Sequence, residues 1–294
     1  MIDYIEPVFR PPSEGRSLIL QVTNGCSWNN CSFCEMYQAA QKQFNFKSLD
    51  DIELELKKVA GAGVAPRKVF LADGDAMTLS SRRLLDILLL VRKYLPSVQR
   101  ISSYCLPRNL KNKTVAELAE LAKYGLTLMY IGCESGDDLM LEKINKGETF
   151  DTSLDALTKI KLAGMKSSVM ILNGLGGTTY SEQHAINSAK LMNAAQPEYL
   201  STLVVSFPTG QQRFVEAFGE GFSPLSQNEL FNEMNILLST LELEKTIFRS
   251  DHASNYLVLK GTLNKDKERL LSQVDMAIND PNRIPLRQEW QRGL

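Results

Sequence analysis

Six short predicted strands alternate with amphipathic helical segments between residues 17 and 206. The strands are predicted at 17–23, 68–72, 100–104, 127–132, 166–172 and 199–206, and the first two are apolar runs typical of buried strands. A helix between two strands returns the chain so that the next strand runs in the same direction. The alternation therefore predicts an α/β fold with a parallel sheet, either open or closed into an incomplete barrel.

The 294-residue chain suits one α/β barrel domain, a class that commonly has about 200–250 residues or more. Three early prolines predict an extended N-terminal arm over residues 1–16, followed by a barrel core over 17–206. The alternation then ends, with helices predicted at 228–241 and 265–278 and a short apolar segment at 256–259. We expect residues 207–294 to form an α-rich C-terminal extension that closes the barrel mouth.

Three cysteines, Cys26, Cys31 and Cys34, lie in a polar loop after the first predicted strand. A structural zinc site or a fully protein-bound iron–sulfur cluster needs four protein ligands. Three cysteines together, with no fourth nearby in sequence, indicate a cluster that leaves one iron open to a non-protein ligand. The alternative is a group of core thiols, since cysteine is often buried. A loop rich in Asn, Ser and Gly is, however, a poor place to bury apolar side chains.

Charge and cysteine content limit the partners and the compartment. With 33 basic and 34 acidic residues the net charge is −1, so no large positive field attracts a nucleic-acid backbone. The odd number of cysteines does not suit a disulfide framework, and no secretory signal is visible, so we expect a cytoplasmic protein. No apolar segment reaches the roughly 20 residues that cross a bilayer, so we expect no membrane insertion.

Glycine- and acid-containing motifs follow three other predicted strands. They are Ala-Asp-Gly-Asp-Ala at 72–76, Gly-Cys-Glu-Ser-Gly at 132–136 with Lys-Ile-Asn-Lys-Gly at 143–147, and Asn-Gly-Leu-Gly-Gly at 173–177. Ligands of parallel α/β folds bind at the carboxyl ends of the strands. The motifs therefore predict ligand-binding loops.

Together with the cysteine loop, these motifs resemble the radical S-adenosylmethionine (SAM) superfamily, most of all its coproporphyrinogen oxidase, tRNA methylthiotransferase and Elongator-type branch. The resemblance implies a partial (β/α)6 TIM-like barrel with a [4Fe–4S] cluster held after the first strand. The commonest family loop has three residues between the first two cysteines, whereas four separate Cys26 from Cys31 here. Because loop-closure entropy grows slowly with length, we expect the same cluster to be held.

The resemblance also implies the chemistry. Cys26, Cys31 and Cys34 would ligate three irons, and the fourth iron would bind the amino and carboxylate groups of SAM. Reductive cleavage would give a 5′-deoxyadenosyl radical that abstracts hydrogen from a substrate. A flavodoxin- or ferredoxin-type protein would supply the electron, and the enzyme would be sensitive to oxygen.

Residues at the predicted strand ends are candidates for binding SAM. The resemblance assigns Gly74 and Asp75 to the SAM amino group, with Asp75 where glutamate is more usual, and Glu134 to the ribose hydroxyls. Phe33 is suited to stacking on the adenine, the alternative being a core aromatic. Further candidates for the adenine pocket are Gly174, Gly176, Gly177 and Leu203. The alternative is that these residues occupy ordinary turn or core positions.

Other polar or reactive residues point less clearly to a role. We expect Cys105 and Cys133 to be small core residues, and His184 to be a satisfied surface or capping histidine. A polar cluster at 249–256 contains Arg249, His252 and Asn255, which are candidates either for substrate contacts or for a loop-stabilising network.

The leading hypothesis is thus a radical SAM enzyme acting on a small or medium-sized metabolite, because no extra cysteine-rich, basic or cobalamin-type domain is visible. Alternatives are SAM-dependent transfer of an aminocarboxypropyl or methylthio group, and a tRNA or porphyrin-type substrate. A non-catalytic iron–sulfur carrier or zinc-stabilised binding protein is a further alternative. It would leave the motifs around Gly74, Glu134 and Gly174 unexplained.

Overall fold

The computed structural model describes residues 2–208, 210–219 and 221–292, and its elements follow the predicted alternation closely. The strands are β1 (Leu18–Gln21), β2 (Thr23–Asn24), β3 (Asn45–Phe46), β4 (Lys68–Ala72), β5 (Arg100–Tyr104), β6 (Leu126–Glu134), β7 (Lys166–Asn173), β8 (Tyr199–Val204), β9 (Ile247–Ser250) and β10 (Leu259–Thr262). The helices are α1 (Leu49–Gly61), α2 (Ser81–Tyr94), α3 (Val115–Lys123), α4 (Asp138–Lys143), α5 (Phe150–Leu162), α6 (Gly177–Ala195), α7 (Gln212–Phe218), α8 (Gln227–Thr240) and α9 (Lys267–Asn279). Eight of the strands form a mostly parallel sheet, which confirms the predicted α/β class.

The first of two compact units comprises Met1–Asn29, Cys34–Ile131 and Asp155–Ser167. Its strands β1, β4, β5 and β6 are parallel neighbours in that order. In this register Leu20 lies opposite Leu71, and Val69 opposite Ile101, and all four side chains are fully buried. Parallel strands covered on both faces favour such apolar runs, which is why the bounds of β4 were readable from the sequence.

The predicted first strand, 17–23, is interrupted in the structure. β1 ends at Gln21, and β2 instead pairs antiparallel with β3, with Thr23 opposite Phe46 and Asn24 opposite Asn45. The chain therefore leaves the main sheet just before the cysteine loop. An unbroken apolar run did not reveal this change of partner, because pairing depends on a distant segment.

Helix caps in the first unit follow sequence signals. Ser48 Oγ accepts a hydrogen bond of 3.1 Å from the Asp51 N–H at the start of α1. Thr114 and Glu117 form a reciprocal capping box at the start of α3. Such caps satisfy backbone donors that the helix itself leaves without partners. α1 packs on α2, and α2 packs on α3.

The N-terminal arm of the first unit is anchored by a buried carboxylate. Glu14 is fully buried, and its Oε1 accepts hydrogen bonds from Arg100 Nη2 at 2.5 Å and Tyr130 Oη at 2.6 Å. Ser17 Oγ donates to its other oxygen. A buried charge requires such partners, so Glu14 fixes the arm to β5 and β6.

The second unit comprises Asn30–Phe33, Gly132–Leu154 and Ser168–Leu294. Its strands β7, β8 and β9 are parallel neighbours, and β10 pairs antiparallel with β9. Helix α8 packs against α6 and α9. No helix within the described ranges is both long and apolar enough to cross a membrane.

Part of the predicted C-terminal extension belongs to the sheet. The predicted helices correspond to α8 and α9, but β9 and β10 were not predicted, and α4 and α7 were missed as well. The apolar segment expected at 256–259 ends where β10 begins. Strands of only four residues carry too few alternating positions to stand out in a sequence.

Candidate functional site

The cysteine loop is fastened at its start by residues outside it. Asn24 Nδ2 donates to the backbone oxygen of Gln41 at 2.7 Å. Gly25, which precedes Cys26, has a φ of 68°, and a Cβ at this position would collide with the carbonyl of Lys42. Because side chains disfavour this backbone region and no space exists for one, position 25 requires glycine.

A buried ion pair connects the start of this loop to the loop after β4. Lys42 Nζ lies 2.5 Å from Asp73 Oδ2, and neither side chain is exposed. The same oxygen accepts 3.3 Å hydrogen bonds from Gly25 N and Gln21 Nε2. Buried charges persist where they are paired and hydrogen-bonded, so this pair holds the two loops of the first unit together. Asp73 was part of a quoted motif but had no assigned role, and Lys42 was not singled out in the sequence.

All five cysteines are thiols rather than disulfides. Cys26 and Cys34 lie in the first unit and are partly exposed, whereas Cys31 lies in the second unit and is buried. Among the residues that the structure describes, no three or more Cys, His, Asp or Glu side chains are already gathered as a metal site. Three soft thiol donors on one short loop are nevertheless the ligand chemistry of a four-iron cluster with one open iron.

Asp75, a predicted SAM contact, is fully buried beside the cysteine loop. Its Oδ2 accepts hydrogen bonds from the backbone N–H and the hydroxyl of Ser27, the residue after Cys26. Burial raises the pKa of Asp75, against the lowering effect of hydrogen bonds from Ser27 and Asn109. Its Oδ1 has no hydrogen-bond partner among the described residues, so one acceptor atom is available to a ligand.

Gly74, the other predicted residue of this loop, lies against the ring of Tyr37. A Cβ on Gly74 would collide with the ring, which explains the glycine. The Tyr37 side chain is buried, and Phe9 contacts its ring edge to face with centroids 5.5 Å apart. The sequence analysis did not single out Tyr37.

Glu134 occupies an unusual backbone position at the end of β6. Its φ is 64°, a backbone conformation that residues other than glycine rarely adopt. Residues in such conformations are found most often at functional sites. Lys146 Nζ lies 3.0 Å from Glu134 Oε1, and both side chains are more than nine-tenths buried. Glu134 Oε2 has no hydrogen-bond partner in the described part of the chain. The ion pair therefore holds one oxygen and leaves the other for a ligand.

Lys146 was part of a quoted motif but had no assigned role. Burial alone lowers the pKa of Lys146, but the carboxylate of Glu134 and the thiol of Cys31 outweigh this and raise it above its ordinary value. Lys146 Nζ also lies 5.7 Å from the centre of the Phe33 ring. A persistent cation thus lies beside the predicted ribose contact, a predicted cluster ligand and the predicted adenine contact.

The segment that carries Cys31 and Phe33 is held within the second unit. Ser32 N donates to the carbonyl of Ile144 at 2.9 Å, and Arg213 Nη2 of α7 donates to the carbonyl of Cys31 at 2.8 Å. Phe33 and Leu203, both predicted for the adenine pocket, pack against one apolar cluster. Its buried members are Met140, Leu141, Ile144, Leu172, Leu175, Phe214 and Phe218.

The glycine-rich loop after β7 is organised by Glu233 of α8. The Glu233 carboxylate accepts hydrogen bonds from Gly174 N at 2.7 Å, Asn173 Nδ2 at 3.2 Å and Ser181 Oγ at 2.6 Å. Asn173 Oδ1 is buried and, among the described residues, has no hydrogen-bond partner. The predicted residues Gly174 and Gly176 thus lie in a fixed loop, and Gly177 begins α6. Glu233 lies 59 positions after Gly174 in the sequence, so no local sequence pattern indicates this contact.

The polar cluster at 249–256 is tied to the end of β8. Asn255 uses both amide atoms on β8, accepting from Val204 N at 3.0 Å and donating to Thr202 O at 2.9 Å. His252 Nδ1 lies 2.9 Å from Ser254 Oγ, and Arg249 is exposed. This arrangement matches the loop-stabilising alternative for Asn255.

Cys133 and His184 lie in the interior of the second unit. Burial raises the pKa of Cys133 to about 12, so its thiol stays protonated near neutral pH. His184, expected at the surface or at a cap, is instead buried, with Nδ1 2.8 Å from Ser135 Oγ and Nε2 2.9 Å from the carbonyl of Leu172. Both its nitrogens have protein partners, which suits a structural role. Cys105, in the first unit, is buried as well.

Comparison with known sequences gives a family match and one informative relative. The profile of the radical SAM superfamily matches residues 20–189. A provisionally named methylthiotransferase of Methanocaldococcus jannaschii is 23% identical over 159 residues, which are 52% of this chain and 34% of that protein. The chain therefore spans about a third of the length of this relative.

Two solved structures share the fold. Coproporphyrinogen III oxidase, HemN, from Escherichia coli has a TM-score of 0.56 and 14% identity, covering 76% of this chain and 52% of that one. Methylornithine synthase, PylB, has a TM-score of 0.51 and 18% identity, covering 77% and 63%. At such identities the likeness concerns the fold alone.

Proposed function

This chain belongs to the radical SAM superfamily, and from that membership we propose that it is an enzyme whose Cys26, Cys31 and Cys34 ligate a [4Fe–4S] cluster that cleaves SAM. The observation that carries the proposal is the cysteine loop itself, which follows β1 and lies within the family match. Three thiolates leave one iron for a ligand that is not protein. When bound, the cluster supplies one electron, from a flavodoxin- or ferredoxin-type donor, that splits SAM into methionine and a 5′-deoxyadenosyl radical, which takes hydrogen from the substrate.

Two buried carboxylates are proposed to orient SAM. Asp75 Oδ1 and Glu134 Oε2 each lack a hydrogen-bond partner among the described residues, and a carboxylate is the natural acceptor for an ammonium or a ribose hydroxyl. Asp75 would accept from the SAM amino group beside Gly74. Glu134 would accept from the ribose, held in place by Lys146. Phe33, Leu203 and the loop of Gly174 and Gly176 would contact the adenine.

The substrate is proposed to be a small or medium-sized metabolite, and the enzyme to act in the cytoplasm. The net charge of −1 favours this class over a polyanion such as tRNA, and five cysteines present as thiols suit a reducing compartment. Arg249 and His252 remain candidates for substrate contacts. Asn255 has its amide committed to β8, so we assign it a supporting role.

A second candidate is SAM-dependent group transfer, favoured by the similarity to the M. jannaschii methylthiotransferase. Transfer of an aminocarboxypropyl group is a related alternative, in which a different C–S bond of SAM is cleaved. The nucleoside left over differs between cleavages: deoxyadenosine marks formation of the 5′-deoxyadenosyl radical, and methylthioadenosine marks aminocarboxypropyl transfer.

The test is anaerobic reconstitution with iron and sulfide, reduction with dithionite in the presence of SAM, and mass spectrometry of the nucleosides. Wild type should form deoxyadenosine, and Cys31→Ala should not. Cys105→Ala, which removes a buried thiol outside the loop, is the matched control and should retain cleavage. Methylthioadenosine would select aminocarboxypropyl transfer instead. A wild-type protein that holds no four-iron cluster would contradict the proposal.

A further inference from the structure

The hydroxyl of Tyr37 is buried without a protein partner. Tyr37 is 5% exposed, and its Oη makes no hydrogen bond to any of the described residues. Buried tyrosine hydroxyls usually find a partner, because an unsatisfied one loses its hydration without compensation. Such an atom points to a group that occupies the site in the working protein.

The position of the ring is fixed by its neighbours. Its edge contacts Gly74, where an added Cβ would lie 2.9 Å from Tyr37 Oη, and Phe9 packs against it edge to face. The backbone oxygen of Tyr37 accepts a 3.0 Å hydrogen bond from Asn29 Nδ2 of the cysteine loop. The hydroxyl therefore cannot turn away to solvent and stays where Gly74 and the loop place it.

Titratable groups near enough to act on this hydroxyl include two of the loop cysteines. Burial raises the pKa of Tyr37 well above its ordinary value, and Asp73, Tyr104, Cys34 and Cys26 raise it further. Asp73 Oδ1 also has no hydrogen-bond partner among the described residues, so it does not accept from Tyr37. The hydrogen bond from Asn29 and the position of Tyr37 just after Cys34 in the sequence place the residue beside the cysteine loop, so the sulfurs of Cys26 and Cys34, and whatever those sulfurs bind, are candidate acceptors.

Resting on the function proposed above, we propose that the Tyr37 hydroxyl donates a hydrogen bond to a sulfur of the iron–sulfur cluster held by Cys26 and Cys34, and so raises its reduction potential. A phenol is a donor near neutral pH. Hydrogen bonds to cluster sulfurs stabilise the more negative reduced state and are one of the ways in which proteins set these potentials. Tyr37 thus affects the reaction by setting the reduction potential of the cluster.

The test compares the cluster potential of wild type and Tyr37→Phe without SAM. Both proteins are reconstituted anaerobically, their iron and sulfide are counted, and the reduced cluster is titrated against potential by electron paramagnetic resonance. Tyr37→Phe should lower the potential by about 59 mV, which for one electron corresponds to a tenfold change in the ratio of reduced to oxidised cluster. Tyr130→Phe removes the hydroxyl of a half-buried tyrosine that already donates to Glu14, and it should leave the potential unchanged.

An unchanged reduction potential in Tyr37→Phe overturns the inference. If the variant with the unchanged potential also binds SAM more weakly, the hydroxyl is assigned to SAM instead of the cluster. An equal shift in Tyr130→Phe also overturns it. If Tyr37→Phe fails to load, the wild-type protein still gives a test in one direction: iron–sulfur stretching bands that do not shift between H2O and D2O overturn the inference, because a hydrogen bond from an exchangeable donor to sulfur would make them shift. A wild-type protein without a four-iron cluster contradicts the proposed function as well. A loaded wild type with no shift in the variant or in D2O contradicts this inference alone.

Discussion

The ammonium of Lys146 lies 3.0 Å from Oε1 of Glu134, and the two side chains form a buried ion pair at the end of β6. Removing one partner of such a pair leaves the other as a buried charge without compensation, at a cost of roughly 3–5 kcal/mol. Lys146→Met should therefore lower the free energy of unfolding by about that amount, measured by urea denaturation. Lys146→Arg keeps the charge and should lose less than half as much. A loss below about 1 kcal/mol in Lys146→Met would show that the pair contributes little.

The raised pKa of Asp75 makes a prediction about pH. Because burial raises the pKa of this acid above 3.8, its contribution to stability is fully present below 3.8 and is lost as pH rises through the folded-state value. Asp75→Asn removes the titrating group, so relative to wild type it should be more stable at neutral pH than at about pH 4. Urea denaturation of both proteins across that range measures the difference. A difference that does not change with pH would contradict the assignment.

Asp75→Asn should also bind SAM more weakly, since an amide is a poorer acceptor for an ammonium than a carboxylate. We expect a loss of about tenfold or more in affinity, measured by equilibrium binding to the reconstituted protein. A gain in stability together with a loss in binding would mark Asp75 as a residue kept for function at a cost in stability.

Gly132 leaves no room for a side chain while Glu134 stays in place, because a Cβ there would collide with Oε1 of Glu134. Gly132→Ala forces that carboxylate out of its pairing with Lys146, and overpacking of this kind typically costs about 1–3 kcal/mol. SAM affinity should fall with it. Gly61→Ala, at the end of α1, is the matched control, because a Cβ there meets no atom within 4 Å. Thermal unfolding and SAM binding of the two variants should therefore differ clearly.

Glu233 is predicted to be the main support of the loop after β7. Glu233→Ala removes the acceptor of three hydrogen bonds, from Asn173, Gly174 and Ser181, and leaves their donors without it. Since each buried unsatisfied group costs about 1–3 kcal/mol, we expect a total loss of roughly 3 kcal/mol in urea denaturation. Glu233→Gln keeps one acceptor oxygen and should retain part of that stability. Equal losses in both variants would indicate that charge, not hydrogen-bond geometry, matters.

The sequence predicted the parts of this protein that depend on local patterns. The bounds of β4 and β5 agree residue for residue with the predicted strands. In β4 the reason is a continuous apolar run, Val-Phe-Leu-Ala, of the kind that strands buried on both faces favour. Asp75 and Glu134 were predicted as SAM contacts from the resemblance of the motifs at these strand ends, and the structure shows that both are buried with one carboxylate oxygen that lacks a partner among the described residues. The family match then confirmed what the cysteine loop and these motifs had indicated.

What the sequence did not show depends on partners far apart in the chain. Lys42 meets Asp73 across 31 positions, and Glu233 meets Gly174 across 59. Neither pairing produces a local sequence pattern, since a lysine that will be buried cannot be told from a surface lysine in a single sequence. Tyr37 is similar, because its significance lies in the missing partner of its hydroxyl, which only the folded structure reveals.

The buried carboxylate of Glu14 has a consequence for how the protein is made. Its partner Tyr130 lies 116 positions later in the chain, and Arg100 lies 86 positions later. At a synthesis rate of roughly 5–20 residues per second, the ribosome delivers Tyr130 several seconds or more after Glu14 has emerged. During that interval the Glu14 carboxylate lacks the hydrogen-bond partners that its burial requires, so the arm must stay hydrated and outside the forming sheet. Docking of the arm therefore has to wait for β5 and β6, although the arm is synthesised before either strand.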